Sequence, residues 1–225
     1  MKLLRALLQG SIVLLLVFTS CSVDEESIPN EVNEKGIPNF ATGSFTDTRD
    51  GKVYKTVTLG DQTWLAEDLS YEPDSGEYLI ELIDTINNIY GYYYDWETAQ
   101  VIVPEGWHLP SRDEYIVLLE YLIDNGFCYQ KDVENYYTAK SMVLGGKWNS
   151  STISGTPGNS DYSDFINLSG FSAIPNKGGY SGYWWTTTSH ITDTYYCLNI
   201  RNDRPFANLT LMYPEFRAAI RCIKD

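Results

Sequence analysis

The stretch Gly106-Trp107-His108-Leu109-Pro110-Ser111-Arg112-Asp113-Glu114 leaves little choice about the backbone downstream of it. Pro110 disfavours helix in the residue before it. Ser111 with Glu114 three residues on forms a capping box, in which each partner satisfies a backbone N–H at the start of the new helix. Tyr115, Leu118, Leu119 and Leu122 then recur at helical spacing as one apolar stripe, and Gly126 supplies the stop. A helix between residues 111 and 126, with its stripe on the core, is predicted. Upstream, Tyr90 to Trp96 reads as a strand running into a short helix over 95–100 capped by Asp95, and another short helix is predicted over 135–143.

The rest of the pattern has period two. Residues 45–65 alternate like strands broken by tight turns at Asp50-Gly51 and Gly60-Asp61, placing Val53, Val57, Leu59, Trp64 and Leu65 toward the core. Residues 145–164, rich in Gly, Ser, Asn and Asp, read as a long loop. Short strands come next at 170–174, 183–188, 195–200, 208–212 and 217–223. Helices first and a strand meander afterwards describe an α+β domain.

The N-terminus reads as an address rather than as fold. Lys2 and Arg5 precede the apolar run Ile12 to Phe18, which is too short to span a bilayer, and Thr19-Ser20 precede Cys21. This order resembles the lipobox of bacterial lipoproteins, with Phe18 where that motif prefers Leu, and implies acylation of Cys21. The bland alternative is an ordinary secretory signal with a chance cysteine. Buried acyl chains contribute ~0.8 kcal/mol per CH₂, so a multiply acylated cysteine is a firm anchor. The acidic Ser22-Val23-Asp24-Glu25-Glu26 resembles the export signals that carry lipoproteins of Bacteroidota to the outer face of the outer membrane, or is simply a solvated linker. Expected boundaries are a signal peptide over 1–20, a flexible acidic tether over 21–42 and one domain over 43–225, roughly 180 residues and enough for a real core.

Charge and composition narrow the function. With 16 Lys+Arg against 30 Asp+Glu, a formal charge of −14, nucleic acid is not an expected partner. Only two histidines limit the supply of general bases and zinc ligands. With Cys21 acylated, Cys128, Cys197 and Cys222 remain, an odd number. Cys197 and Cys222 both lie in apolar strand-like stretches and are expected to pair as a disulfide, the alternative being that all three are small buried apolar residues.

Three ordered blocks carry a resemblance: Asp50 to Leu69, Pro104 to Ser111, and Gly170-Phe171-Ser172-Ala173 through Tyr183-Trp184-Trp185-Thr186 to Arg221-Cys222-Ile223. Together they resemble the Fibrobacter succinogenes major paralogous domain, found in exported proteins and lipoproteins of Bacteroidota and Fibrobacteres. The resemblance implies a C-type lectin-like fold, with two short helices packed on twisted antiparallel sheets and a long ligand-presenting loop region. It implies no enzymatic activity. Family members often carry a cysteine before the Pro-x-Gly-Trp block, and here that place is Val103, so a pairing of that cysteine with the C-terminal one is lost.

Candidate ligand contacts are Tyr162, Tyr180, Tyr183 and Trp184, in or beside the 145–182 loops. Most tryptophans are expected in the core, but strand alternation puts Trp184 and Trp185 on opposite faces and leaves one of them for solvent. Asp161 and Asp164, in the loop with Asn149, Asn159 and Asn167, are candidates for holding Ca²⁺. Neither EF-hand spacing nor the Glu-Pro-Asn and Trp-Asn-Asp signatures of calcium-dependent lectins are present, so no metal or other cofactor is expected. No phosphate loop, nucleophile elbow or catalytic constellation is legible, and an enzyme is not expected. The resulting expectation is a cell-envelope lipoprotein, anchored to the outer membrane and exposed on the cell surface. It would display a non-catalytic module for glycan or protein ligands; the alternatives are a structural or assembly subunit of an envelope complex and, behind both, an exported hydrolase.

Overall fold

A computed structural model describes residues 39–225 apart from Thr85, Asn88, Val133 and Glu134. The expected signal peptide, Cys21 and most of the expected tether lie outside the described residues. The described residues form twelve strands and three α-helices, an α+β architecture. The chain opens with β1 (Thr42–Thr46), β2 (Val53–Leu59) and β3 (Gln62–Leu65), joined by the two predicted turns, whose Gly51 and Gly60 take positive φ of 76° and 61°. A hairpin of β4 (Tyr78–Asp84) and β5 (Ile89–Tyr94) leads into α1 (Trp96–Val101), where the Asp95 carboxylate accepts from the Thr98 N–H. After β6 (Trp107–His108) comes α2 (Arg112–Asp124), with both halves of the Ser111–Glu114 capping box formed.

The second half begins with a hairpin of β7 (Tyr129–Asp132) and β8 (Asn135–Tyr137), followed by α3 (Ala139–Met142). The helix expected over 135–143 is thus helical only in its last four residues, because Tyr136-Tyr137 favours strand and pairs back on β7. Past the long loop, which holds one 3₁₀ turn at Ser163–Phe165, the meander runs through β9 (Ser181–Ser189), β10 (Tyr195–Arg201), β11 (Asn208–Met212) and β12 (Ile223–Lys224). The strand expected at 170–174 is reduced to a single bridge between Ala173 and Val143. Among the described residues no helix is long and apolar enough to cross a membrane.

Two sheets dominate, one ordered β1-β2-β3-β12-β6 and one ordered β11-β10-β9. The C-terminal segment ties them together. Ala218 bridges Tyr94, Ala219 bridges Trp184, and Ile223 lies between Trp64 and His108. The Cys222 and Ile220 carbonyls accept from Leu65 and Leu69 N–H. The strand expected over 217–223 therefore forms as a ladder only at its end, because its backbone partners are divided among several elements.

Apolar side chains from the two faces of these sheets enter two separate cores. One holds Val57, Trp64, Tyr115, Leu118, Leu122, Phe171, Trp184 and Leu198; the other holds Tyr54, Leu65, Tyr94, Trp107, Trp185, Cys197, Ile220 and Cys222. Each adjacent pair, Trp64/Leu65, Trp184/Trp185 and Cys197/Leu198, thus sends one member to each core, as a period of two dictates. Both Trp184 and Trp185 are fully buried, correcting the expectation that one faces solvent. The α2 stripe closes the first core, with Tyr115 stacked on Trp64 at 5.1 Å between centroids. Each such side chain contributes about 1.5–3 kcal/mol on full burial. Val53, expected in the core, is 62% exposed: it shares a face of β2 with the buried Val57 and Leu59, but at the first residue of the strand that face borders a cleft instead of the core.

The long loop is organised by a buried cation. Lys140 on α3 is only 2% exposed, and its ammonium donates to the carbonyls of Asn159 (2.9 Å) and Asp161 and to Asp161 Oδ1 at 2.8 Å. Backbone carbonyls and a carboxylate wrap this ammonium much as such groups wrap a metal ion.

Candidate ligand cleft

Where β3 ends, residues 65–69 run beside residues 220–222, and this pairing sets Asp68 against Arg221. Arg221 is fully buried inside an otherwise apolar run, a placement that requires a partner for every charge. Its Nε and Nη2 both donate to Asp68 Oδ1, at 2.9 and 2.5 Å, while Nη1 donates to the Leu65 and Phe171 carbonyls. The guanidinium lies 4.5 Å from the centroid of the Phe171 ring. Trp184 Nε1 donates to the same Asp68 oxygen at 2.8 Å. One carboxylate oxygen thus collects three donors, whereas Oδ2 accepts no hydrogen bond among the described residues.

Above this pair opens a cleft of about 430 Å³. Its lining combines the polar Lys52, Tyr54, Lys55, Glu67, Asp68, Ser70 and Arg221 with the apolar Val53, Ile89, Leu144 and Ile174. Several polar groups are already committed. Lys52 Nζ donates to the Ser70 carbonyl, lies 3.5 Å from Asp50 and sits 5.0 Å above the Tyr92 ring. The Tyr54 hydroxyl pairs with Ser70 Oγ and accepts from Ser70 N–H, and burial pushes its pKa up. Glu67 accepts the Lys55 N–H at 2.9 Å. Both carboxylates of the cleft therefore accept hydrogen bonds from the surrounding framework.

None of the four sequence-predicted contacts lines this cleft. Trp184 is fully buried and donates to Asp68, which does line the cleft. Tyr183 is half-buried with its ring edge-on to Phe216 at 5.1 Å. Tyr180 is exposed, and Tyr162 precedes the 3₁₀ turn at a positive φ of 45°. Asp68 and Arg221 went unpredicted, although an arginine inside Ala218-Ala219-Ile220-Arg221-Cys222-Ile223 is a signal that a buried acid must answer it.

The metal candidates are otherwise occupied or scattered. Burial pushes the Asp161 carboxyl up, but Lys140, Ser154 and the Gly155 N–H outweigh it and hold the pKa below the usual carboxylate range. Asp164 lies apart, exposed in the 3₁₀ turn. No group of three or more His, Cys, Asp or Glu side chains among the described residues is arranged to hold a metal ion. Cys197 and Cys222 are free thiols, which corrects the expected disulfide. Cys197 lies in β10 and Cys222 just before β12, both as small apolar members of one core, and burial pushes both thiols up, so they stay protonated. Cys128 is also free and buried.

His108 bridges two acids at the edge of the large sheet, with Nδ1 2.7 Å from Asp225 Oδ1 and Nε2 2.8 Å from Glu114 Oε1. Burial lowers its pKa, but the two carboxylates win and raise it. This cluster fastens the chain end to the start of α2.

A family model described as the Fibrobacter succinogenes major domain matches residues 57–224, well over half of the chain. No curated protein and no solved structure matches it.

Proposed function

We propose that this chain, which belongs to the Fibrobacter succinogenes major domain family, is a lipid-anchored cell-envelope protein that displays a non-catalytic ligand-binding module. The cleft above Asp68 and Arg221 carries this reading: it is a concave site lined by apolar side chains and convergent polar groups, the form that small-molecule sites usually take. Hydrogen bonds to Glu67 and to Asp68 Oδ1 tie both carboxylates to the framework of the site, which supports a pre-formed binding cleft. The α+β architecture, with its long ordered loop between α3 and the final meander, supports the C-type lectin-like reading of the fold. The lipobox-like order ending at Cys21 supports an anchor in the outer membrane, and the acidic segment behind it supports display at the cell surface.

The test is a binding screen of the purified full chain against glycans and envelope proteins, repeated with Val53→Glu and Ile174→Glu. Loss of binding in both variants is expected; a ligand held equally well by both would place the site elsewhere. Incubation with any bound polysaccharide should release no shorter product. For the address, Cys21→Ser is expected to abolish metabolic labelling by an alkyne fatty acid and to shift the protein out of the membrane fraction. Retained labelling would refute acylation at Cys21.

A second reading, an assembly subunit, is favoured by the β4–β5 hairpin, which exposes Leu79, Ile80 and Ile86. Co-purification of a stoichiometric envelope partner, lost on Ile80→Ser with Ile86→Ser, would support it.

A further inference from the structure

The charges around the cleft discriminate among ligands. An anion entering it meets Glu67 and Asp68, while two of the nearby cations are spent: Arg221 is fully buried on Asp68 and two carbonyls, and Lys52 is held by Ser70 and Asp50. Lys55 also lines the cleft, and its backbone N–H donates to Glu67. A cation fares no better at depth. The charge of Asp68 is compensated by a guanidinium nitrogen 2.5 Å from Oδ1, so a second positive group on Oδ2 would meet the field of Arg221 in a low-dielectric floor. A neutral hydroxyl meets neither penalty. It donates to the unpartnered Asp68 Oδ2, an acceptor-only group, and brings no net charge into the floor. The same cleft is lined by Val53, Ile89 and Ile174, apolar side chains on which a C–H face can pack. A ligand with hydroxyls along one edge and a C–H face along the other matches both kinds of lining at once.

On the reading that this cleft is the ligand site, we infer that it takes an uncharged saccharide, with Asp68 Oδ2 accepting from ring hydroxyls and Val53, Ile89 and Ile174 packed on the sugar face. A cleft of about 430 Å³ has room for a short oligosaccharide segment.

Calorimetric titration of the full chain tests this with cellopentaose, xylopentaose and mannopentaose as neutral probes. Oligogalacturonate serves as the anionic probe and deacetylated chito-oligosaccharide as the cationic one. At least one neutral probe is expected to bind saturably and more tightly than either charged probe. Val53→Glu, at a position already 62% exposed, should weaken that binding by about tenfold or more without lowering the melting temperature. Tyr213→Ala, at an exposed residue outside the cleft, should leave it unchanged. Tighter binding of a charged probe, still abolished by Val53→Glu, would overturn the ligand class while leaving the cleft as the site. Binding of any probe that Val53→Glu and Ile174→Glu both leave intact would overturn the cleft itself. No binding of any probe would overturn the saccharide inference, and cleft-dependent capture of a peptide in the binding screen would then keep the site and change its ligand.

Discussion

Replacing Lys140 by Met keeps most of the side chain's volume and removes only the ammonium. In the native protein that ammonium is 2% exposed and donates to two backbone carbonyls and one carboxylate of the 153–161 segment. Removing one partner of a buried ion pair costs about 3–5 kcal/mol, because the other is left uncompensated. Here the Asp161 side chain is 30% exposed and keeps its bond from the Gly155 N–H, so part of that cost is recovered by water. A loss of about 2–3 kcal/mol remains after this solvent discount. For a chain of this size that is a fall in Tm of roughly 5–10 °C. Differential scanning calorimetry measures the fall, and limited proteolysis should show faster cleavage within residues 153–161. Lys140→Met with Asp161→Asn should recover part of the loss, since the orphaned charge is then gone. A Tm within about 1 °C of the native value would refute the view that an internal cation orders this loop.

The same contacts have other consequences. His108 has a raised pKa when folded, so the stability it contributes is complete below its ordinary value of 6.5 and is lost as pH rises through the raised one. Glu114, whose pKa is lowered, contributes in the opposite sense, losing its share as pH falls below 4.5. His108→Gln should therefore flatten the decline of Tm above neutral pH, by no more than about 1 kcal/mol at this part-exposed site. Gly182→Ala would drive a Cβ into Trp184 Cη2 and to 3.0 Å from the Ile174 carbonyl oxygen; denaturant titration should show a loss of about 1–3 kcal/mol from overpacking. Trp184→Phe removes one donor to Asp68 and should cost about 1–3 kcal/mol by the same assay, with some loss of saccharide affinity. Iodoacetamide should label Cys128, Cys197 and Cys222 slowly in the native protein and rapidly without reductant in denaturant; failure to label Cys197 and Cys222 after unfolding would mean that they are bonded to one another.

Much of the local structure was legible in the chain. The capping box at Ser111 and Glu114, the stripe behind it, the Asp95 cap and the two glycine turns all formed as local stereochemistry requires. Each of these is decided within a few residues of itself. The errors share a different cause. Trp184 and Val53 differ from expectation because period two says that neighbouring residues point apart, not what lies on either side; Cys197 and Cys222 do share one core, but a shared core does not by itself bring two sulfurs into bonding geometry. In this domain both faces of the central strands are covered, so alternation marks two cores instead of a core and a surface.

The site shows the same division more sharply. Composition argued against a nucleic-acid partner, and residue order supplied a family resemblance that the match over residues 57–224 bears out. Asp68 and Arg221 are 153 residues apart, and no local rule joins them. They meet because the last segment of the chain returns to pair beside β3, and because a guanidinium buried there needs a carboxylate. Backbone caps, turns and periodicities are short-range and can be read from neighbours in sequence. A cleft, a second core and a buried ion pair depend on which surfaces meet, and that was decided only when the C-terminal segment closed the sheet.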